Sequence, residues 1–315
     1  MCASPKSSSA DELPALTDPT PPASGLLAGL LARCSFPPAG TAVDVAVSGG
    51  ADSLALLVLA MAAGCEVTAH HVDHALRDGS AGESSLVAAV AERFGAGFVA
   101  HRVVVEPGPN LEARARAARF GALPAGVLTG HTADDQAETV LLNLLRGAGL
   151  DGLGGMSSDR RPLLRLRRAE TVALARDLGL EPFHDPSNDD PAFRRNRVRH
   201  EVLPLLSEVA GRDVVPILAR QADLLRDDAE VLDALPGDLD MEDAKALAKM
   251  PRPVARRVVR SWLRDAGGAE RHPPDAAAVE RVLEVARGQA VGCDVGGGWR
   301  VTRSKNRLRL HPPPV

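Results

Sequence analysis

Between residues 43 and 145 short β-rich runs alternate strictly with longer helical ones, and this alternation constrains the fold more than any other feature of the sequence. Residues 43–47, 67–72, 98–105 and 127–130 read as strands, and residues 52–63, 83–94, 111–123 and 133–145 read as helices. That order predicts an α/β fold, a doubly wound parallel sheet with helices on both faces. Sheets of this kind bind ligands beyond the carboxyl ends of their strands. Ser48, Asp73 and His131 each stand just past a strand, so they are expected to converge.

The first strand leads into its helix through Ser48, Gly49, Gly50, Ala51, Asp52 and Ser53. Two glycines let the backbone approach an anion, and the helix N-terminus offers free N–H groups and the positive end of its dipole. Both serine hydroxyls add donors. Asp52 does not suit a plain anion cradle, because a carboxylate beside a triphosphate is repulsive unless a cation lies between them. Mg2+ is the expected cation. The Walker pattern G-x-x-x-x-G-K-[ST] is absent, and Gly147, Gly149 and Gly152 spell G-x-G-x-x-G only after a helix, where a dinucleotide loop does not form.

A second constellation opens the helix at 133–145. At 100° per residue His131, Asp134, Asp135 and Glu138 share about 100° of arc, with Ala137, Val140, Leu141 and Leu144 expected on the buried side. Carboxylates so close require a cation, either Mg2+ or the ammonium of a substrate amine, and could help that amine lose its proton. Upstream, Arg116 and Arg119 lie three apart on one helix face and could together meet a phosphate or a nucleic-acid strand. Arg194, Arg195, Arg197 and Arg199 form a local cationic patch of the kind that grips nucleic-acid phosphates. His70, His71 and His74 around Asp73 suggest a metal site. Val72 and Asp73 point to opposite faces of a strand, however, so the four cannot ligate one ion.

Three hundred and fifteen residues make about two domains at ~100–200 residues each. Residues 1–24 are poor in large apolar side chains and read as a disordered tail. Residues 25–206 hold the α/β domain. Residues 207–315 read as a smaller, mostly helical region, with helical runs at 205–235, 241–266 and 276–287 and a hairpin at 299–310. The net charge of −4 excludes a general cationic field, so any nucleic acid must be held by local patches. Only 3% of residues are aromatic and none is Tyr, which leaves little material for base-stacking platforms. The 33 Arg against 4 Lys reflect composition bias rather than function. Four scattered Cys form no C-x-x-C pair, and no signal peptide or membrane anchor is evident, so a cytoplasmic location is expected.

The loop 48–53 resembles the PP-loop of the N-type ATP pyrophosphatases, whose fold is adenine nucleotide alpha hydrolase-like and which split ATP between its α and β phosphates. Within that group the sequence is most similar to the tRNA(Ile)-lysidine synthases. Residues 71–77 resemble H-V-D-H-G-L-R, with Ala75 in place of Gly, and residues 110–120 resemble N-x-E-x-x-A-R-x-x-R-Y, with Phe120 in place of Tyr. Residues 131–139 read H-x-x-D-D-x-x-E-T, and R-P-L-L at 161–164, D-x-S-N at 185–188 and R-N-x-V-R at 195–199 continue the match in order.

The resemblance implies an ATP-dependent ligase that joins free L-lysine to C2 of the wobble cytidine in a CAU-anticodon tRNA(Ile). ATP with Mg2+ serves through an adenylated tRNA. It implies that Ser48 to Ser53 bind ATP, that Asp52 and Asp135 hold the metal, and that Asp52, Arg119, Asp135 and Glu138 are catalytic. His131, Asp134, Arg116 and the 194–199 arginines would bind substrate. Oligomeric state stays open, with a homodimer among the alternatives. Two rivals remain: a tRNA 2-thiolase needs suitably spaced cysteines, and a non-catalytic nucleotide- or RNA-binding protein should lack the carboxylate face.

Overall fold

The computed structural model describes residues 24–73, 80–103, 114, 117–118, 121–183, 185–237, 239–240, 242–266 and 274–313. The tail expected at 1–24 and the segment carrying Arg116, Arg119 and Phe120 lie almost wholly outside these residues, as do His74 and Ala75. The chain divides into two compact units, one of Met1–Leu142 with Met156–Ala219, the other of Asn143–Gly155 with Arg220–Val315. No described helix is long and apolar enough to cross a membrane.

The first unit is built on four parallel strands, β1 (Ala42–Ala46), β2 (Glu66–Asp73), β3 (Gly97–Arg102) and β4 (Leu128–Thr129), in the order β3-β2-β1-β4. Val45 pairs with Ala69 on one side and with Leu128 on the other, which puts β1 inside the sheet. The chain steps outward from β1 to β3 and then returns to the far side of β1 as β4. That reversal is a topological switch point, where a crevice opens at the carboxyl ends of β1 and β4. The loop 48–53 and residues 130–135 both leave the sheet there.

Helix α1 (Ser24–Leu31) precedes the sheet, and α2 (Ala51–Ala62) and α3 (Ser80–Phe94) pack on it. Every residue of α2 from Ser53 to Ala60 is buried. A helix apolar around its whole circumference belongs in a core, not on a surface. Leu54, Leu56, Leu57 and Leu59 are fully buried, and truncating any one to Ala should cost about 2–5 kcal/mol. The helix that follows the phosphate loop is thus fixed from behind.

Helix α4 (Ala133–Leu145) differs from the single buried face expected of it. Its first two turns are buried on the polar side as well, with Asp135, Gln136 and Glu138 inside, whereas Leu144, expected to be buried, is 55% exposed. Helix α5 (Arg168–Asp177) follows. A helical run then passes through Arg194–Arg197, a π segment at Val198–Val202, and α6 (Leu203–Ala210). The continuous helix expected from 205 to 235 is broken: Gly211 adopts φ 64°, and Asp213 accepts from the Val215 amide at the start of α7 (Val215–Ala234).

In the second unit α8 (Ala244–Lys249), α9 (Arg252–Ala266) and α10 (Ala276–Arg287) share an apolar core with an antiparallel sheet. Asp243 and Asp275 cap the first and last of these helices. The sheet comprises β5 (Gly292–Asp294), β6 (Arg300–Ser304) and β7 (Arg307–His311), and the expected hairpin is its β6–β7 pair. Lys305 and Asn306 both take positive φ, 47° and 64°, as a two-residue hairpin turn requires.

Candidate active site

The loop after β1 is held by its own serines. The Ser48 amide donates to Ser53 Oγ at 3.1 Å, and Ser53 Oγ donates to the Gly50 carbonyl at 2.8 Å. Gly49 takes φ 85°, a conformation side chains avoid, and the Phe183 amide donates to its carbonyl at 2.9 Å. Gly50 stands at the N-cap of α2 and no side chain caps the helix, leaving its dipole end available to an anion. At Gly130 a Cβ would lie 2.6 Å from the Asp52 carbonyl oxygen. Only glycine lets the end of β4 approach the first turn of α2 so closely.

Asp52 projects from that turn and touches two residues of α5. Thr171, fully buried, donates to Asp52 Oδ1, and Arg168 Nε donates to Oδ2 at 3.3 Å. Burial raises the Asp52 pKa above the usual carboxylate value, although Thr171 and Arg168 pull the other way. The same guanidinium donates to Asp135 Oδ1 at 2.8 Å and to Glu138 Oε1 at 3.2 Å. One cation therefore joins the first turn of α2 to the acidic turn of α4. Burial would lower the Arg168 pKa, but Asp135, Glu138 and Asp52 raise it.

The acidic set is charge-balanced. Asp135 accepts from the amide and hydroxyl of Thr132 at 2.9 and 3.0 Å and from Arg195 at 3.1 Å. Burial works against its charge, yet Arg168, Arg195, the Thr132 amide and His131 hold its pKa below normal. His131 itself shares a 2.8 Å hydrogen bond with Thr129 Oγ1. Glu138, fully buried, accepts from Arg168, from Arg195 Nε at 2.6 Å and from Arg199 Nε at 2.7 Å.

Asp134 is drawn elsewhere. It accepts two bonds of 3.0 Å from Arg167 and one of 2.8 Å from the Arg168 amide, so it fixes the start of α5 instead of facing the carboxylate set. Burial opposes its charge, but those bonds lower its pKa.

The four-arginine patch separates into two pairs. Arg195 and Arg199 turn inward to Asp135 and Glu138, while Arg194 is exposed and Arg197 makes an exposed pair with Glu201. His70 and His71 lie buried in β2. His70 bonds Asp44 and His101 at 2.8 Å each, and His71 bonds the Val47 carbonyl. Among the described residues no group of three or more His, Cys, Asp or Glu could hold a metal ion.

Arg167, Arg168 and Thr171 were not singled out from the sequence. One signal was available: two consecutive arginines at a helix N-terminus oppose the helix dipole, and such an arrangement calls for carboxylates nearby.

Comparison with known proteins gives consistent matches. Residues 30–206 match the PP-loop domain family, and residues 243–309 match the TilS substrate binding domain. The chain is 44% identical to the tRNA(Ile)-lysidine synthase of Nocardia farcinica, over 87% of this chain and 92% of that one. It is 45% identical to the enzyme of the same name from Rhodococcus opacus, over 85% and 89%. The corresponding Mycolicibacterium paratuberculosis protein is 44% identical over 80% and 85%.

Proposed function

This chain belongs to the tRNA(Ile)-lysidine synthase family, and on that footing we propose that it uses ATP to join lysine to the wobble cytidine of a CAU-anticodon tRNA(Ile). The cytidine C2 oxygen attacks the α-phosphorus of ATP, and pyrophosphate leaves. The ε-amine of free L-lysine then attacks C2, a C–N bond forms, and AMP departs with the C2 oxygen. A cytoplasmic setting goes with these substrates.

One observation carries the reading: Arg168 contacts Asp52 beside the phosphate loop and Asp135 and Glu138 on α4, so loop and carboxylates form one site. The loop from Ser48 to Ser53 holds the phosphates through backbone amides and hydroxyls, and the dipole of α2 stabilises the departing pyrophosphate. Asp135 and Glu138 receive the lysine ammonium and provide the base that makes it nucleophilic. Asp134 acts as a positioning residue through Arg167 and Arg168.

Mg2+ fits the site in one form. The ion takes one or two carboxylates together with phosphate oxygens, and Asp52 and Asp135 already flank a single cation. Those two residues would hold it, and it would screen the phosphate charge. Arg116 and Arg119 remain assigned to the adenylate and the tRNA strand, and Arg119 to catalysis, on their motif alone.

The test uses purified chain, radiolabelled lysine, ATP and transcripts that differ in the anticodon. Lysine should enter the CAU transcript in an ATP-dependent way, with one pyrophosphate released per lysine. Asp52→Ala should abolish pyrophosphate release while the fold persists. Incorporation without ATP, or none into the CAU transcript, would overturn the reading.

A further inference from the structure

Three carboxylates, Asp52, Asp135 and Glu138, face three guanidiniums, Arg168, Arg195 and Arg199, in the described site. A balanced and hydrogen-bonded set offers an arriving ammonium no net attraction. For lysine to bind there, one guanidinium must leave.

The three are held in different ways. Arg195 and Arg199 place their shortest bonds, 2.6 and 2.7 Å, on the same fully buried carboxylate. Arg168 spreads single bonds of 3.3, 2.8 and 3.2 Å over three carboxylates. Of the three it alone reaches Asp52, in the first turn of the helix that follows the phosphate loop. Its backbone is anchored independently, because its amide donates to Asp134 at 2.8 Å. The side chain can therefore change partners without moving α5.

We propose that Arg168 is an exchangeable counter-ion: in the free chain it neutralises Asp52, Asp135 and Glu138, and when ATP binds it turns to the phosphates, leaving Asp52 to the metal and releasing Asp135 and Glu138 to the lysine ammonium. This rests on the ATP and lysine reading above. A guanidinium matches a phosphate as well as a carboxylate, in the same forked geometry, and ATP brings enough negative charge to compete for it. The exchange makes ATP and lysine binding mutually reinforcing, and by linkage each must tighten the other equally.

Isothermal titration of wild type and Arg168→Gln, with Mg2+ present, tests this by the sign of two shifts. Loss of a charge-assisted bond should weaken ATP binding by roughly tenfold. Lysine binding, measured without ATP, should tighten several-fold, because the carboxylates have lost their internal cation. A residue that merely supports the fold would weaken both ligands together, and that parallel result overturns the proposal, as does no change in either.

Wild type supplies a second measurement that no folding defect affects: α,β-methylene-ATP should lower the lysine Kd, and equal Kd values with and without it overturn the exchange. Wild type that binds neither ATP nor lysine overturns the functional reading itself.

Discussion

Arg195 and Arg199, four residues apart on one helical run, donate through Nε to the two oxygens of Glu138, at 2.6 and 2.7 Å. A side chain that a helical wheel places on a solvent-facing polar arc is therefore the fully buried centre of an ion cluster. Glu138→Gln keeps the volume but removes the buried carboxylate that three partly buried guanidiniums share. Breaking such a pair costs about 3–5 kcal/mol, so the melting temperature should fall by roughly 6–12 °C. Scanning calorimetry reads the shift, and an unchanged melting point would show that the cluster contributes nothing to stability.

Acid should destabilise the first unit in a defined window. Asp134 and Asp135 have pKa values held below the ordinary 3.8, and Glu170 below 4.5. Groups depressed on folding contribute stability that is complete above those ordinary values and disappears as pH falls through the folded ones. Asp52, raised by burial, contributes with the opposite sign. Urea midpoints should thus drop between about pH 4.5 and pH 3, more steeply in wild type than in Asp135→Asn. Identical slopes for the two proteins would remove Asp135 from the account.

Gly130→Ala tests the close approach of β4 to α2. The new Cβ would meet the backbone of Asp52, with its oxygen at 2.6 Å and its carbon at 2.9 Å, and backbone cannot rotate away as a side chain can. A cost of about 1–3 kcal/mol is expected from overpacking, together with weaker ATP binding as the first turn of α2 is pushed out of place. Wild-type ATP affinity in this variant would mean that the loop tolerates the shift.

The division of the arginine patch makes a contrast measurable. Arg194→Ala with Arg197→Ala removes the outward pair, so tRNA binding should weaken for every anticodon. The salt dependence should flatten by about one counterion per lost phosphate contact. ATP affinity and melting temperature should hardly move, because an exposed i,i+4 pair adds little stability. Arg195→Ala should do the reverse, lowering the melting temperature first. Equal thermal effects from both variants would contradict the division.

The strand and helix order and the loop from Ser48 to Ser53 were legible because each depends on neighbours close in sequence. Arg168 was not. Its partners Asp52, Asp135 and Glu138 lie 116, 33 and 30 residues away, and in a chain with 33 arginines a single one carries little signal. The misplacement of Leu144 has another cause. A helical wheel assumes one environment along the whole helix, whereas α4 starts inside the ion cluster and ends with Leu144 and Leu145 exposed. The break at Gly211 was readable in principle from glycine followed two residues later by Asp213, a helix stop and start in tandem.

The π segment at Val198–Val202 accommodates one more residue in its turn than an α-helix would. One further residue inserted there, which the widened turn has no room left to absorb, would rotate everything upstream by about 100° against α6. Arg195 would then swing off Glu138 although no arginine had been changed. In this short stretch the number of residues is itself a coordinate of the active site, and an insertion there would act as a mutation of a side chain several positions away.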